Sequence, residues 1–238
     1  MTAAGFHVRT ALTAVVLFVL AMAAGGGTGA GTERPSGPEH SSTATSASAP
    51  MQETLQQDTE AAIRVTDRFW ADHWSGLFPG IYRPPRVLGS YDGASPTVPT
   101  CGGVRLTDNN ALYCLPEDYL AWDRDLMAAG YRLGDSWVYL VIAHEWAHAI
   151  QQRLNRQLVS VAAELQADCL AGATLFGAAR DGTLRFEEGD ARELREALTV
   201  LADDTPWTRP GDHGNAQQRI AAFARGREGG VTACLPAM

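Results

Sequence analysis

The chain has 238 residues, 45% of them hydrophobic and 19% charged, which suits one globular domain with extensions and is too little for two full domains. Its formal charge is −8 and no basic patch is evident, so nucleic acid is excluded as an expected partner.

Residues 1–24 read as an export signal. His7 and Arg9 precede an apolar run over 11–24, and Ala21-Met22-Ala23 offers a small-x-small cleavage site. That run is shorter than the roughly 20 residues of a spanning helix, so cleavage is preferred over retention as an N-terminal anchor. No Cys follows it, which excludes a bacterial lipid anchor there. Residues 25–50 are rich in Gly, Ser, Thr, Ala and Pro without an apolar period and read as a flexible linker. The folded domain is expected over 51–238.

Within it, residues 54–74 predict an amphipathic helix, with Leu55, Ala62, Ile63, Phe69, Trp70 and Trp74 recurring at three- and four-residue steps. Trp70 and Trp74 read as core anchors and His73 as a surface residue. Pro84 and Pro85 restrict any strand nearby to a sheet edge, and 86–91 is the best short strand. Residues 112–115 and 119–122, joined by a Pro-Glu-Asp turn, read as a hairpin. Either of these strands is a candidate edge along which a peptide could add.

The run 137–149, Trp-Val-Tyr-Leu-Val-Ile-Ala-His-Glu-Trp-Ala-His-Ala, is apolar enough for a helix buried almost all round. His144, Glu145 and His148 interrupt it, and burying them costs several kcal/mol unless each is hydrogen-bonded, paired or bound to metal. Residues four apart share a helix face, so His144 and His148 can aim two ring nitrogens at one ion while Glu145 acts on a water beside it. This is the His-Glu-x-x-His pattern of zinc metalloproteases. A third ligand is expected on another element. The second apolar helix candidate, 159–176, carries Glu164 and Asp168 four apart; Glu164 is assigned as the third ligand and Asp168 as the carboxylate that orients a zinc-bound imidazole. The segment 151–158, with Asn155 near its middle, is long enough to turn one helix back on the other. A bare His-Glu-x-x-His also arises by chance, and paired acids usually mark a solvated helix face. The apolar flanks of Glu164 and Asp168 speak against the second reading.

Residues 186–202 read as a charged surface helix with Leu194, Leu198 and Leu201 inward. A loop over 203–214 ends in Gly-Asp-His-Gly-Asn before a last helix at 216–225. His213, at that junction, either faces the site and steadies an oxyanion or caps a helix at the surface, with Asp212 able to orient it in both cases. The even cysteine count in an exported chain favours two disulfides. Cys101 with Cys114 and Cys169 with Cys234 are the preferred pairs of three possible pairings. Cys169 as a metal ligand is weak, since it follows Asp168 and points about 100° away from the Glu164 face.

The blocks His144-Glu-Trp-Ala-His148 with Ile150-Gln151, Glu164-Leu-Gln-Ala-Asp168-Cys-Leu-Ala-Gly172, Tyr113-Cys114, and His213-Gly-Asn-Ala-Gln-Gln-Arg219 with Phe223 together resemble the bacterial neutral zinc metallopeptidase family, whose core is gluzincin-like. The resemblance implies one zinc on His144, His148 and Glu164, Glu145 as base, and His213 and Arg219 as active-site or site-supporting residues. It departs at Ala147 and Ala149, where the family often has Gly and His.

The expectation is therefore an exported zinc endopeptidase of α+β class, a minimal zincin-like helical core with a small, mostly antiparallel sheet, acting on peptide or protein substrates. It would be secreted or anchored to the membrane only through its N-terminal segment. The rival readings are a non-catalytic zinc-stabilised envelope binding module and a zinc amidase acting on cell-wall material.

Overall fold

The computed structural model describes residues 48–209 and 211–236. The leader over 1–24 and nearly all of the linker over 25–50 lie outside the described residues. Among the described residues no helix is long and apolar enough to cross a membrane.

The first helix, α1 (Ser48–Leu77), is longer than its apolar period predicts and begins inside the expected linker. Its buried stripe is Ala62, Phe69, Trp70 and Trp74, so both tryptophans are core anchors. His73 stays partly exposed and pairs with Asp181 at 2.7 Å.

Five strands follow: β1 (Arg86–Tyr91), β2 (Thr100–Cys101), β3 (Val104–Arg105), β4 (Ala111–Cys114) and β5 (Tyr119–Asp123). The main sheet has the order β1-β5-β4, with β1 parallel and β4 antiparallel to β5, while β2 and β3 form a separate antiparallel pair. The sheet is thus mixed. Pro84 and Pro85 precede an edge strand, as their missing donors require. A bulge at Val87/Gly89, with Gly89 at φ +96°, shifts the β1 register. Cys101–Cys114 ties the β2 hairpin to β4.

Asp123 ends β5 and caps the short helix α2 (Arg124–Tyr131). One oxygen accepts from the amides of Asp125 and Leu126, and the other accepts from Gly93. Helix α3 (Ser136–Arg153) then runs through the centre, buried almost all round as its composition requires. A short 3₁₀ turn, Arg156–Leu158, capped by Asn155, leads into α4 (Ala163–Arg180). Helix α5 (Asp190–Val200) is shorter than expected, but Leu194 and Leu198 point inward as read.

The last helix, α6 (Ala216–Gly229), starts with a capping box between Asn215 and Gln218. It approaches α4 closely at two glycines. A Cβ on Gly226 would overlap the Cys169 carbonyl, and one on Gly172 would overlap that of Phe223. Cys169–Cys234 fastens the C-terminal turn to α4. The architecture is α+β, with α1, α3, α4, α5 and α6 sharing one core and the mixed sheet laid against α3.

Candidate metal centre

Helix α3 supplies His144, Glu145 and His148, and α4 supplies Glu164 and Asp168. The Nε2 atoms of His144 and His148 are 3.3 Å apart, and each lies 3.2 Å from Glu164 Oε2. These three donors form a nearly equilateral triangle. In a tetrahedron the ligand–ligand edge is about 1.6 times the bond length, so zinc bonds of about 2.0–2.1 Å place donors about 3.3–3.4 Å apart. The triangle has that size. Among the described residues no fourth His, Cys, Asp or Glu donor joins the group, which leaves one tetrahedral position for solvent or substrate.

The remaining ring nitrogens are tied back. His144 Nδ1 lies 2.9 Å from Asp168 Oδ1, and His148 Nδ1 lies 2.8 Å from Gln151 Oε1. With those N–H groups donating, both Nε2 lone pairs face the triangle. Gln151 is itself fixed, donating to Ala163 O and to Gln166 Oε1. Gln166 in turn donates to the carbonyls of Leu158 and Cys234. The α3–α4 turn and the C-terminal disulfide therefore both bear on the orientation of His148.

Asp168 is fully buried and accepts a two-point contact from Arg219, Nε at 2.8 Å and Nη2 at 2.7 Å, as well as the imidazole. Arg219 also donates to Leu201 O. Burial disfavours charge on His144 and His148. The carboxylates of Asp168 and Glu164 outweigh it at His144, and Glu164 outweighs it at His148, so both pKa values are raised. Burial also disfavours the carboxylates, yet the two imidazoles hold Glu164 below the usual range and Arg219 does the same for Asp168. Positive charge between these groups is thus strongly favoured, and a divalent ion can take the place of the imidazole protons.

Glu145 and His144 line a cavity of about 50 Å³ together with Asn110, Ala111, Leu126, Leu140, Leu201 and His213, among others. His213 Nε2 lies 3.6 Å from Glu164 Oε2, so this side chain faces the site. Its pKa is lowered, chiefly by burial. Asp212 does not orient it, because that carboxylate is occupied by Thr208 and Arg209 in its own loop. Asp203 stands there instead. It accepts from the backbone amides of His213 and Gly214, and its Oδ1 is 3.6 Å from His213 Nδ1. Nothing local in the sequence marks Asp203, ten residues away across a loop. Gln151 could have been read, since it lies three residues after His148 and hence on a neighbouring helical position. Cys169 is in a disulfide and contributes no donor.

Two imidazoles four residues apart on one helix and an acid from the next form a candidate metal site built on a His-Glu-x-x-His motif. The chain belongs to the family described as "Putative neutral zinc metallopeptidase", whose profile matches residues 5–236. It is also similar to the proteins named "Uncharacterized protein YpfJ" of Escherichia coli K12 and of Escherichia coli O6:H1. Each is 26% identical over 261 residues, covering 95% of this chain and 86% of the relative. No solved structure matches.

Proposed function

We propose that the protein is a zinc-dependent endopeptidase with a zincin-like core of the gluzincin type, formed by α3, α4 and the edge strand β4. The observation that carries this reading is the donor triangle, with Glu145, next in sequence to His144, lining the same cavity as that ligand. Zinc held by His144, His148 and Glu164 would supply Lewis acidity and make a water acidic near neutral pH. Glu145 would act as the general base toward the attacking water and return the proton to the leaving amine. His213, backed by Asp203, steadies the oxyanion of the tetrahedral state. Asp168 and Gln151 keep the two ligand imidazoles in the required tautomer, and Arg219 holds Asp168.

The edge that receives the peptide is assigned to β4. Asn110 O accepts from Asp123 N, so by antiparallel alternation Leu112 and Cys114 turn their backbone groups toward β5, whereas Ala111 and Tyr113 turn theirs to the open side. An extended substrate can pair with these two. The disulfides suit an oxidising compartment, which supports export; removal of residues 1–24 and a linker ahead of α1, which begins at Ser48, complete the proposed organisation. Peptide or protein is the expected partner, without nucleic acid.

A closed structural site, or a binding module built on one, would need no carboxylate beside a solvent position. Glu145 therefore favours catalysis. The test is hydrolysis of a quenched-fluorophore peptide library by the zinc-loaded chain, with Glu145→Gln and His148→Ala. Glu145→Gln is expected to keep zinc and lose turnover, and His148→Ala to lose both. Full hydrolysis by Glu145→Gln would defeat the mechanism.

A further inference from the structure

The two ligand imidazoles are oriented by chemically different groups. Asp168, while charged, offers His144 only acceptors, so the proton on His144 Nδ1 is dictated on contact. His148 meets an amide instead. Gln151 presents its oxygen at 2.8 Å, but the same amide rotated by half a turn would present NH2 and make Nδ1 the acceptor. His148 would then carry its proton on Nε2, where the metal has to bind. Whatever keeps Gln151 the right way round is therefore a condition for His148 to be a ligand.

Two acceptors face the Gln151 amide nitrogen, the Ala163 carbonyl at 2.7 Å and Gln166 Oε1 at 3.1 Å. The first is a backbone atom at the start of α4. The second belongs to another amide, whose own sense is set by backbone groups. Gln166 Nε2 donates to the carbonyls of Leu158 at 2.8 Å and Cys234 at 3.1 Å, and Oε1 also accepts from the Ser160 amide at 3.0 Å. Turned over, Gln166 would set its oxygen against two carbonyls and its NH2 against two N–H donors. The residue is buried, where unpaired polar groups are costly, so that arrangement is closed to it. Gln166 itself is no ligand: it lies two residues past Glu164, about 200° round the helix.

We propose that Gln166 is a positioning residue for the metal site, fixing the tautomer of His148 through Gln151. Its anchors are the α3–α4 turn and the C-terminal turn (Val231–Cys234), which the Cys169–Cys234 disulfide fastens to α4. Zinc affinity is thereby tied to a disulfide that supplies no donor, and the chain reaches its full affinity only once that disulfide has formed. The inference rests on the zinc-site reading and on no catalytic step.

The experiment measures zinc affinity of the full chain by chelator competition in a cycle of parent, Gln151→Met, Gln166→Met and the double variant. Gln151→Met is expected to raise the zinc Kd by about 10- to 100-fold, the range for losing a group that orients a ligand, and Gln166→Met by about tenfold. In the Gln151→Met background, Gln166→Met is expected to cost no further affinity, because nothing is left for it to act through. Costs that multiply would show that Gln166 supports the fold in general, and would overturn the proposal. A Gln166→Met chain that binds zinc as tightly as the parent would overturn it too.

A second arm does not depend on Gln166→Met folding. Cys169→Ser with Cys234→Ser leaves both amides in place and releases the C-terminal anchor. It is expected to weaken zinc binding by up to about tenfold in the parent and not in the Gln151→Met background. Equal loss in both backgrounds would break the proposed link. Hydrolysis by Glu145→Gln bears on the peptidase reading alone, so the two can fail separately; a parent chain that takes up no zinc would overturn both.

Discussion

Asp168→Ala tests whether the buried carboxylate serves the metal, the fold or both. In the parent chain it takes two hydrogen bonds from Arg219 and one from His144, with no exposure of its own, and Arg219 is only 3% exposed. Removing it strands a buried guanidinium, a change that costs about 3–5 kcal/mol. At about 2–4 °C per kcal/mol for a chain of this size, the metal-free melting temperature should fall by roughly 6–20 °C. Zinc affinity should fall separately, by about 10- to 100-fold, because His144 loses the partner that fixes its tautomer. The pair Asp168→Leu with Arg219→Met distinguishes the effects. It should recover much of the stability in calorimetry of the metal-free chain and none of the zinc affinity in chelator competition. If Asp168→Ala melts within about 2 °C of the parent, below the drop expected from roughly 1 kcal/mol, and holds zinc equally well, the role assigned to this carboxylate is wrong.

The two disulfides close loops of different length, with sequence separations of 13 and 65. On chain entropy their loss should cost about 3 and about 4 kcal/mol respectively, so Cys169→Ser with Cys234→Ser should lower the denaturant midpoint more than the Cys101/Cys114 pair does. The reverse order would mean that native packing, not loop closure, governs the difference. At the β4–β5 turn, Asp118 is half exposed. Burial is the largest single influence and opposes its charge, but hydrogen bonds from Tyr113 and Arg153 and the charge of Arg153 together outweigh it and lower its pKa. A lowered folded pKa contributes stability above the unfolded value of about 3.9 and loses it as pH falls through the folded value. Asp118→Asn should therefore cost up to about 1 kcal/mol at neutral pH, given solvent screening, and progressively less as pH falls below about 3.9 through the lowered folded value. An undiminished difference at low pH would assign the effect to packing.

The parts of this site that were legible in the sequence are those set by local periodicity. His144, His148, Glu164 and Asp168 meet because each pair lies four apart on a helix whose remaining faces are apolar, and 151–158 is long enough to reverse the chain. The edge character of 86–91 followed from two prolines, and both disulfide pairs formed as preferred. What was not legible depends on contacts distant in sequence. Asp203 reaches His213 across a loop whose nearer carboxylate, Asp212, is consumed by its own turn. Helix α2 is only eight residues long, too short for an apolar period, and forms because Asp123 caps it from the end of a buried strand. The parallel pairing of β1 with β5 joins strands separated in sequence by the β2–β3 hairpin and β4, which no residue pattern in either strand encodes.

The central claim is that α3 and α4 pool two imidazoles and one carboxylate around a single zinc ion. Anomalous diffraction at the zinc edge from crystals of the zinc-loaded chain addresses it most directly. The expected result is one peak at about 2.0–2.2 Å from His144 Nε2, His148 Nε2 and a Glu164 oxygen. A dominant peak elsewhere, such as beside the carboxylates of Asp108, Asp123 and Asp125, or none at the triangle, would contradict it.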